Sequence, residues 1–230
     1  MPNVALTSVG RHFAEVKAVD DIDLAVQHGE FVTLLGPSGC GKTTTLRMVA
    51  GLERNDTGRI AIGERIVSDA DADLFVPPDH RNLGMVFQSY AIWPHMTVFD
   101  NVAYPLSVRG VAKAVIRDKV MAALRLVEME RYADRPAPAL SGGQQQRVAI
   151  ARAIVTHPDV LLADEPTGNL DTERSIEIME LLTDLNQNSG ITVLMVTHEA
   201  EMAAFARTII HFRDGLVESV EQRDGAGMKA

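Results

Sequence analysis

The feature that most constrains the fold is a mostly apolar segment that runs directly into a glycine-rich turn. Residues 31–35 predict a buried strand, and residues 42–51 predict a helix. The turn between them reads Gly36-x-x-x-x-Gly41-Lys42-Thr43, the spelling of a phosphate-binding loop. Glycines let several backbone N–H groups converge, and the helix N-terminus adds a partial positive charge. The sequence therefore predicts a site for phosphate groups.

The side chains around this turn suit a nucleotide with a bound metal ion. We expect the Lys42 ammonium to reach the β- and γ-phosphates and the Thr43 hydroxyl to bind Mg²⁺. Cys40 is the single cysteine, which excludes an intramolecular disulfide. The residues expected to contact the nucleotide here are Gly36, Pro37, Ser38, Gly39, Cys40, Gly41, Lys42, Thr43 and Thr44.

Composition limits the remaining possibilities. A chain of 230 residues can bury the core of one large domain, or of a domain with a subdomain. The 22 basic and 31 acidic residues give a formal charge of −9, which argues against nonspecific nucleic-acid binding. There is no basic N-terminal segment followed by an apolar core, and no apolar run nears the ~18 residues that span a bilayer. We therefore expect a cytoplasmic chain that acts on membranes only through a partner.

The order of elements indicates a parallel α/β core. Residues 4–35 predict two or three strands, and residues 57–87 predict more. Two further apolar strands, at residues 160–165 and 191–196, are separated by a helix that ends near Gly190. Strands that alternate with helices favour a parallel sheet.

Polar side chains follow two of these apolar strands. Asp164 and Glu165 end one strand, and burying them is costly unless a cation or ligand meets them. We expect Asp164 to hold Mg²⁺ through water and Glu165 to polarise an attacking water. His198 follows the next strand, and parallel strands share the edge at which ligands bind. A structural role and a catalytic role for His198 remain equally open on this basis.

The middle of the chain changes character and predicts an inserted helical region. The Tyr90–Met96 loop carries apolar and aromatic side chains, which favour either a docking surface or simple packing of Trp93 beneath the loop. Further on, Ser141 and Gln144 fit a capping box at a helix start. That helix start is either a second anion site or an ordinary capped helix, and composition alone favours the ordinary helix.

With these motifs in sequence order, residues ~4–220 resemble the nucleotide-binding subunit of an ATP-binding cassette (ABC) transporter. The motifs are Gly36–Thr44 (phosphate loop), Gln88 (Q-loop), Leu140–Gln144 (signature), Val160–Glu165 (magnesium and catalytic acids), Asn169–Asp171 (D-loop) and His198 (switch histidine). The resemblance implies a P-loop ATPase fold in a single domain over 1–230. Its core and antiparallel β subdomain would span about 1–88 and 159–220, its helical subdomain about 89–158, and its disordered tail 221–230.

The resemblance also implies ATP and Mg²⁺ as ligands and a head-to-tail dimer of two cassettes, most simply identical copies. ATP would lie between the phosphate loop of one chain and Ser141, Gly142, Gly143 and Gln144 of the other. In each cassette, Gln88 would join Thr43 and Asp164 at Mg²⁺. His198 would contact the γ-phosphate and hold the attacking water with Glu165.

Three further roles come from the same resemblance. Phe13 would stack on the adenine, whereas a lone aromatic residue by itself favours a core position. Asp171 would contact the nucleotide site as part of the D-loop. The Tyr90–Met96 region would receive a transmembrane permease, which would hold the cassette at the cytoplasmic face of the membrane. The reaction would be ATP hydrolysis coupled to solute movement.

The two halves of the chain resemble different branches of the family. Residues ~30–106 resemble importer cassettes for sugars, polyamines or ferric iron. From Leu162 onward, the sequence resembles cassettes of the lipoprotein-releasing and macrolide-exporter type. Two other classes stay open: a non-transport cassette that acts as an ATP-dependent switch on a membrane partner, and a small-molecule kinase. The kinase alternative leaves the helix that starts at Leu140–Gln144 without a role.

Overall fold

The computed structural model describes residues 2–223, with the backbone alone for Pro2. The strands are β1 (Pro2–Phe13), β2 (Val16–Gln27), β3 (Phe31–Leu35), β4 (Thr57–Ile62), β5 (Arg65–Asp69), β6 (Leu74–Phe75), β7 (Leu83–Phe87), β8 (Val160–Asp164), β9 (Thr192–Thr197), β10 (Thr208–Arg213) and β11 (Leu216–Gln222). The α-helices are α1 (Lys42–Ala50), α2 (Val98–Val108), α3 (Lys113–Leu126), α4 (Gly142–Ile154), α5 (Thr172–Ser189) and α6 (Ala200–Ala203).

A six-stranded sheet in the order β11-β10-β3-β9-β8-β7 forms the centre of the molecule. The five strands from β10 to β7 are parallel, and only β11 runs antiparallel. The predicted parallel core is therefore confirmed. The register pairs Leu35 with Thr197 and Asp164 with Val196, so β3, β9 and β8 end at the same edge.

A second sheet, in the order β2-β1-β4-β5-β6, is antiparallel and confirms the predicted β layer. Helix α1 lies between the two sheets. Its buried Leu46, Met48 and Val49 share one apolar cluster with residues of β1 and of the central strands, such as Leu6 and Val32. The helix that follows the phosphate loop is therefore held on both sides by packed side chains.

The opposite face of the central sheet is covered by helices. Successive side chains of a strand point to opposite faces, and β8 shows this directly. Val160 and Leu162 join the cluster around α1, whereas Leu161 and Ala163 join the cluster that contains α2 to α5. Since both faces are buried, the central strands β3, β8 and β9 consist mostly of apolar residues. The division into a core and a helical subdomain at residues 89–158 stays a prediction.

The C-terminal boundary differs from the prediction of a disordered tail over 221–230. Glu221 and Gln222 belong to β11, where they pair with Ile209 and Thr208. Backbone pairing needs no apolar side chains, and charged residues suit an edge strand because they discourage further pairing. The prediction is therefore wrong for these two residues, and residues 224–230 lie outside the described part. Among residues 2–223, no helix is both long and apolar enough to cross a membrane.

Candidate functional site

The phosphate loop leaves the end of β3 and is fixed by close backbone contacts. Gly41 has φ of 103°, and a Cβ atom there would lie 2.3 Å from the carbonyl oxygen of Ala18. A Cβ on Gly36 would lie 2.3 Å from the carbonyl oxygen of Phe212. Only glycine avoids both the strained dihedral angle and these collisions. The two glycines therefore fix the loop against β2 and β10.

No side chain caps the N-terminus of α1, so its first backbone N–H groups are available to a ligand. They face a pocket of about 180 Å³ at the strand edge. The pocket is lined by Ser38, Gly39, Gly41, Lys42, Thr43, Thr44 and Glu165. Uncapped N–H groups and the helix dipole make such a pocket attractive to anions.

The Lys42 ammonium lies at the centre of the loop. It donates hydrogen bonds to the carbonyl oxygens of Gly36 (2.6 Å) and Pro37 (2.7 Å), and it contacts the Cys40 sulfur at 3.5 Å. Lys42 and Cys40 are both buried. Among residues 2–223 the ammonium therefore contacts only neutral groups, and phosphate oxygens can replace these contacts with charge-assisted hydrogen bonds.

Thr43 and Asp164 meet across the strand edge. The Thr43 hydroxyl donates a hydrogen bond of 3.1 Å to Oδ1 of Asp164, the last residue of β8. Asp164 is 9% exposed, and burial raises the pKa of its carboxyl group against the opposing effect of the Thr43 hydrogen bond. Desolvation thus penalises the Asp164 carboxylate, which a cation at this position would relieve.

The donors present fit Mg²⁺ bound jointly by protein and substrate. A hydroxyl and a carboxylate are hard oxygen ligands of the kind that Mg²⁺ prefers. Residues 2–223 contain no cluster of three His, Cys, Asp or Glu that could hold a metal ion alone. Mg²⁺ at Thr43 and Asp164 would therefore take its other ligands from phosphate groups and water, as it commonly does beside phosphates.

Glu165 and His198 form a second pair at the same edge. The Glu165 backbone has φ of 47°, and its N–H donates to the carbonyl oxygen of Val196. Oε1 of Glu165 lies 3.1 Å from Nδ1 of His198. Glu165 also lines the phosphate pocket. The structure therefore brings His198 to the site, and its catalytic role stays a prediction.

Gln88 follows β7 and is exposed. Its backbone oxygen accepts a hydrogen bond of 2.9 Å from the Asn169 side chain. Its amide group lies against Gly168, where a Cβ atom would be 2.7 Å from Nε2 of Gln88. Among the described residues it makes no hydrogen bond to Thr43 or Asp164. Gln88 thus borders the turn after Glu165, and its predicted place at Mg²⁺ stays untested.

Phe13 ends β1 at the tip of a hairpin and is 43% exposed. The Arg11 guanidinium lies 4.6 Å from its ring centroid. The core position favoured for a lone aromatic residue is therefore wrong, because Phe13 lies at a hairpin tip outside both apolar clusters of residues 2–223. An exposed ring is suited to stacking, and its predicted contact with adenine stays a prediction.

The predicted capping box at the start of α4 is present. The Gln144 N–H donates to the Ser141 hydroxyl at 3.4 Å, and the Ser141 N–H donates to the Gln144 side chain at 3.1 Å. Asp171 caps α5 in turn and pairs with Arg174, which lies 3.5 Å from the Ser141 hydroxyl. None of the signature residues Leu140–Gln144 lines the phosphate pocket. One chain therefore does not bring the two predicted anion sites together.

The Tyr90–Met96 loop borders an apolar groove of about 570 Å³. Trp93 is half-buried, with its ring 4.4 Å from that of Tyr104. Trp93 therefore packs against Tyr104 and also lines the groove, so packing of Trp93 and a docking surface at this loop do not exclude each other. The groove is lined on its apolar side by Leu83, Met85, Phe87, Trp93, Tyr104, Pro105 and Val108.

Two residues of α4 that the motifs did not single out connect these parts. Gln146 is fully buried and donates a hydrogen bond of 2.5 Å to the carbonyl oxygen of Pro166, next to Glu165. Arg152 is 8% exposed and donates to the carbonyl oxygens of Tyr90 and Ala91. Arg152 is the one polar residue of the apolar segment 148–154, which was a signal in the sequence, whereas Gln146 lies within the polar run 144–147 and carried no such signal.

The model of the ABC transporter family matches residues 19–168. The chain is 45% identical over 225 residues to the trehalose/maltose import ATP-binding protein MalK of Thermococcus litoralis, covering 97% of this chain and 60% of that protein. It is 46% identical over 218 residues to the spermidine/putrescine import ATP-binding protein PotA of Vibrio parahaemolyticus, covering 94% of this chain and 56% of PotA. The chain thus spans little more than half the length of these relatives.

Solved structures agree with this family assignment. The dimeric structure of MJ0796, a bacterial ABC transporter cassette, superposes with a TM-score of 0.83 at 35% identity, covering 97% of this chain and all of that one. The post-hydrolysis dimer of MJ0796 bound to ADP and Pi superposes with a TM-score of 0.81. The family model, the relatives and the fold coincide, and we conclude that this chain belongs to the ABC transporter family and has the fold of its ATP-binding cassettes.

Proposed function

We propose that this chain binds and hydrolyses ATP as the cassette subunit of a membrane transporter. The observation that carries the proposal is the meeting of Thr43 with Asp164 and of Glu165 with His198 at the edge where the phosphate loop opens. Groups suited to phosphate binding, metal binding and water activation thus lie within one site. This combination is suited to phosphoryl transfer to water.

In the proposed reaction, the N–H groups of α1 and the Lys42 ammonium bind the phosphates. Mg²⁺, held by Thr43 and Asp164, would neutralise charge on the β- and γ-phosphate oxygens. The water oxygen bonds to the γ-phosphorus while Glu165 accepts a proton from it, and the bond from the γ-phosphorus to the bridging oxygen breaks, so that ADP leaves. His198 orients the Glu165 carboxylate and the γ-phosphate. Gln88 borders the same turn and would sense the bound nucleotide.

The site is completed by a second copy of the chain. Ser141 and the signature helix offer an anion site, but they do not line the phosphate pocket of their own chain. A head-to-tail pair would place Ser141, Gly142 and Gly143 of one chain on the γ-phosphate held by the other. The dimeric MJ0796 cassettes support this arrangement.

The membrane partner would dock in the apolar groove beside Trp93. Val108 is 69% exposed at the groove, and exposed apolar grooves of this kind mark interaction sites. We propose that the partner is a permease, which would hold the chain at the cytoplasmic face of the membrane, and that transport is inward. The relatives named as import proteins support that direction, since their matches extend through both halves of this chain.

The decisive experiment measures phosphate release from ATP by the purified chain, with and without Mg²⁺ and with water as the only acceptor. Mg²⁺-dependent release that rises more than linearly with chain concentration supports the proposal, because two chains build each site. Transfer of phosphate to a small-molecule acceptor instead of water would favour the kinase alternative. Hydrolysis with a membrane partner that moves no solute in vesicles would favour the switch alternative.

A further inference from the structure

The Arg152 guanidinium joins α4 to the loop that follows Gln88. Its Nη2 atom donates a hydrogen bond of 3.0 Å to the carbonyl oxygen of Tyr90, and its Nη1 atom donates to that of Ala91. Its centre lies 4.9 Å from the ring centroid of Trp93. The planar guanidinium therefore contacts three residues of the loop, Tyr90, Ala91 and Trp93.

This contact costs free energy, because Arg152 is buried without a countercharge. No carboxylate of residues 2–223 pairs with it, and burial lowers the pKa of Arg152 to about 10. Two carbonyl groups and an aromatic face compensate only part of the lost hydration. An apolar side chain of similar length could fill the space without that cost.

The loop itself is strained where Arg152 binds it. Tyr90 and Ala91 have φ of 60° and 49°, and two consecutive non-glycine residues in the left-handed region persist only when their surroundings hold them. The bond from Arg152 to each of their carbonyl groups supplies such a constraint. The Tyr90 hydroxyl adds a bond of 3.2 Å to the carbonyl oxygen of Asn169.

Arg152 thus lies between the nucleotide site and the groove. The loop begins at Gln88, whose backbone is bonded to Asn169 in the turn after Glu165. Helix α4 begins beside Ser141. Trp93 and Arg152 both line the groove. The Arg152 side chain therefore connects α4 with the loop that follows Gln88 and also lines the groove.

We propose that Arg152 is a positioning residue that makes the loop from Gln88 to Trp93 move together with α4. A shift of α4 caused by ATP at its signature end is then carried to the groove. The inference rests on the proposed function, because it requires ATP to engage the signature helix. This role requires two N–H donors held in one plane, which a lysine ammonium does not provide.

Trp93 is the only tryptophan of the chain, so intrinsic fluorescence reports on this contact directly. The experiment adds ATP and Mg²⁺ to the Glu165→Gln chain and follows Trp93 emission, while equilibrium dialysis measures bound ATP. We expect ATP to shift the emission. When the Glu165→Gln chain also carries Arg152→Lys or Arg152→Met, the emission shift should fall by about half or more, because neither side chain has the paired donors of the guanidinium. The ATP affinity should stay within about twofold of that of the Glu165→Gln chain.

A matched control is Arg131→Met. The Arg131 guanidinium also lies 4.8 Å from an aromatic ring, that of Tyr132, but it is exposed and outside the groove. This variant should keep the full emission shift. In the chain with Glu165 intact, Arg152→Lys should lower kcat for ATP and leave KM unchanged. A loss of folding alone would instead reduce the active fraction, which active-site titration measures.

The outcomes separate this inference from the proposed function. Should ATP bind without any change in Trp93 emission, or should Arg152→Lys and Arg152→Met show the full shift, the role of Arg152 is overturned and the cassette function stands. Should the Glu165→Gln chain fail to bind ATP, the proposed function and the inference fall together. If Arg152→Met does not fold, Arg152→Lys, which keeps the charge and most of the volume, decides the matter.

Discussion

The Thr43 hydroxyl donates a hydrogen bond of 3.1 Å to the Asp164 carboxylate, although 121 residues separate them in sequence. The contact links the helix that follows the phosphate loop to the strand that carries the acidic pair. Since burial raises the pKa of Asp164, the fold accepts an electrostatic cost at this point. Such costs are typical of sites that bind a cation or carry out chemistry.

We expect Asp164→Asn to stabilise the nucleotide-free chain at neutral pH and to weaken its stabilisation by ATP and Mg²⁺. A raised pKa in the folded state means that folding favours the protonated form, so the Asp164 carboxylate destabilises the fold above that pKa. Removing this cost would raise Tm, by ~2–4 °C for each kcal/mol removed. Differential scanning calorimetry measures both effects.

The pH dependence has a defined sign. As pH falls through the raised pKa of Asp164, the wild-type chain regains the lost stability and the difference from Asp164→Asn shrinks. Asp118→Asn is a control for the change in charge, because Asp118 is exposed on α3 and forms no ion pair among residues 2–223. A difference between wild type and Asp164→Asn that grows on acidification would contradict the assigned desolvation cost.

Glu165→Gln should lower kcat for ATP hydrolysis by about 10²–10⁴-fold, the usual contribution of a general base. The amide keeps the size of the side chain but cannot take a proton from water. ATP binding should persist, and the chain should accumulate as an ATP-bound dimer. Single-turnover phosphate release and size-exclusion chromatography check the two expectations. Turnover at the wild-type rate would show that another group activates the water.

Lys42→Ala should weaken ATP binding ~10–100-fold, which corresponds to the loss of one or two charge-assisted hydrogen bonds. Isothermal titration calorimetry with the Glu165→Gln chain measures the affinity without hydrolysis. Lys17→Ala is the matched control, because Lys17 is an exposed lysine paired with Asp20. Equal affinity in the two variants would count against phosphate binding by the loop.

Val108→Lys should prevent recovery of a membrane partner while leaving ATP hydrolysis by the isolated chain unchanged. A lysine on the apolar wall of the groove must be desolvated when a partner docks. Pull-down from native membranes with the Glu165→Gln chain, ATP and Mg²⁺ measures this. Val220→Lys, a similarly exposed valine on edge strand β11, should not affect recovery. Loss of the partner in both variants would locate docking elsewhere.

The phosphate loop and the acidic pair could be predicted because each is a local pattern. Gly36, Gly41 and Lys42 follow a fixed spacing, and Asp164 ends an apolar strand. The rule that parallel strands end at one edge then brings Thr43, Glu165 and His198 together without knowledge of the packing. The sheet order and the Thr43–Asp164 contact agree with that rule.

Contacts between distant segments could not be predicted in this way. Arg152 meets Tyr90 and Ala91 across about 60 residues, and Gln146 meets Pro166 from a helix whose spacing shows only an apolar face. Phe13 shows the limit for single residues, because a lone aromatic side chain carries no periodic signal. The exposed end of β1 follows from sheet packing, which no local pattern encodes.

The signature helix presents a different limit. Its capping box is a local pattern that the sequence predicts, yet an ordinary capped helix and an anion-binding helix start have the same sequence pattern. One chain shows the cap and leaves the Ser141 end away from the phosphate pocket. Its partner lies on another molecule in the proposed arrangement, so neither the sequence nor the fold of one chain can display the complete site.

Ser141→Asp separates the two roles of this helix start. Aspartate caps helices about as well as serine, so the free energy of unfolding should stay within about 1 kcal/mol of wild type. Its carboxylate would repel the γ-phosphate of ATP held by a second chain, and ATP-driven dimerisation should be lost. Ser141→Asn, a neutral cap, should dimerise far better. Analytical ultracentrifugation in the Glu165→Gln background compares them, and equal dimerisation of the two variants would refute a phosphate site at Ser141.

The most direct test of the composite site mixes two inactive chains. Lys42→Ala weakens ATP binding by the phosphate loop and Ser141→Asp disables the signature site, so neither variant alone should hydrolyse ATP at limiting ATP concentration. In a mixed dimer, the loop of the Ser141→Asp chain meets the intact signature helix of the Lys42→Ala chain. We predict that the mixture hydrolyses ATP well above the sum of its two components. A mixture as inactive as its components would contradict a site shared between two chains.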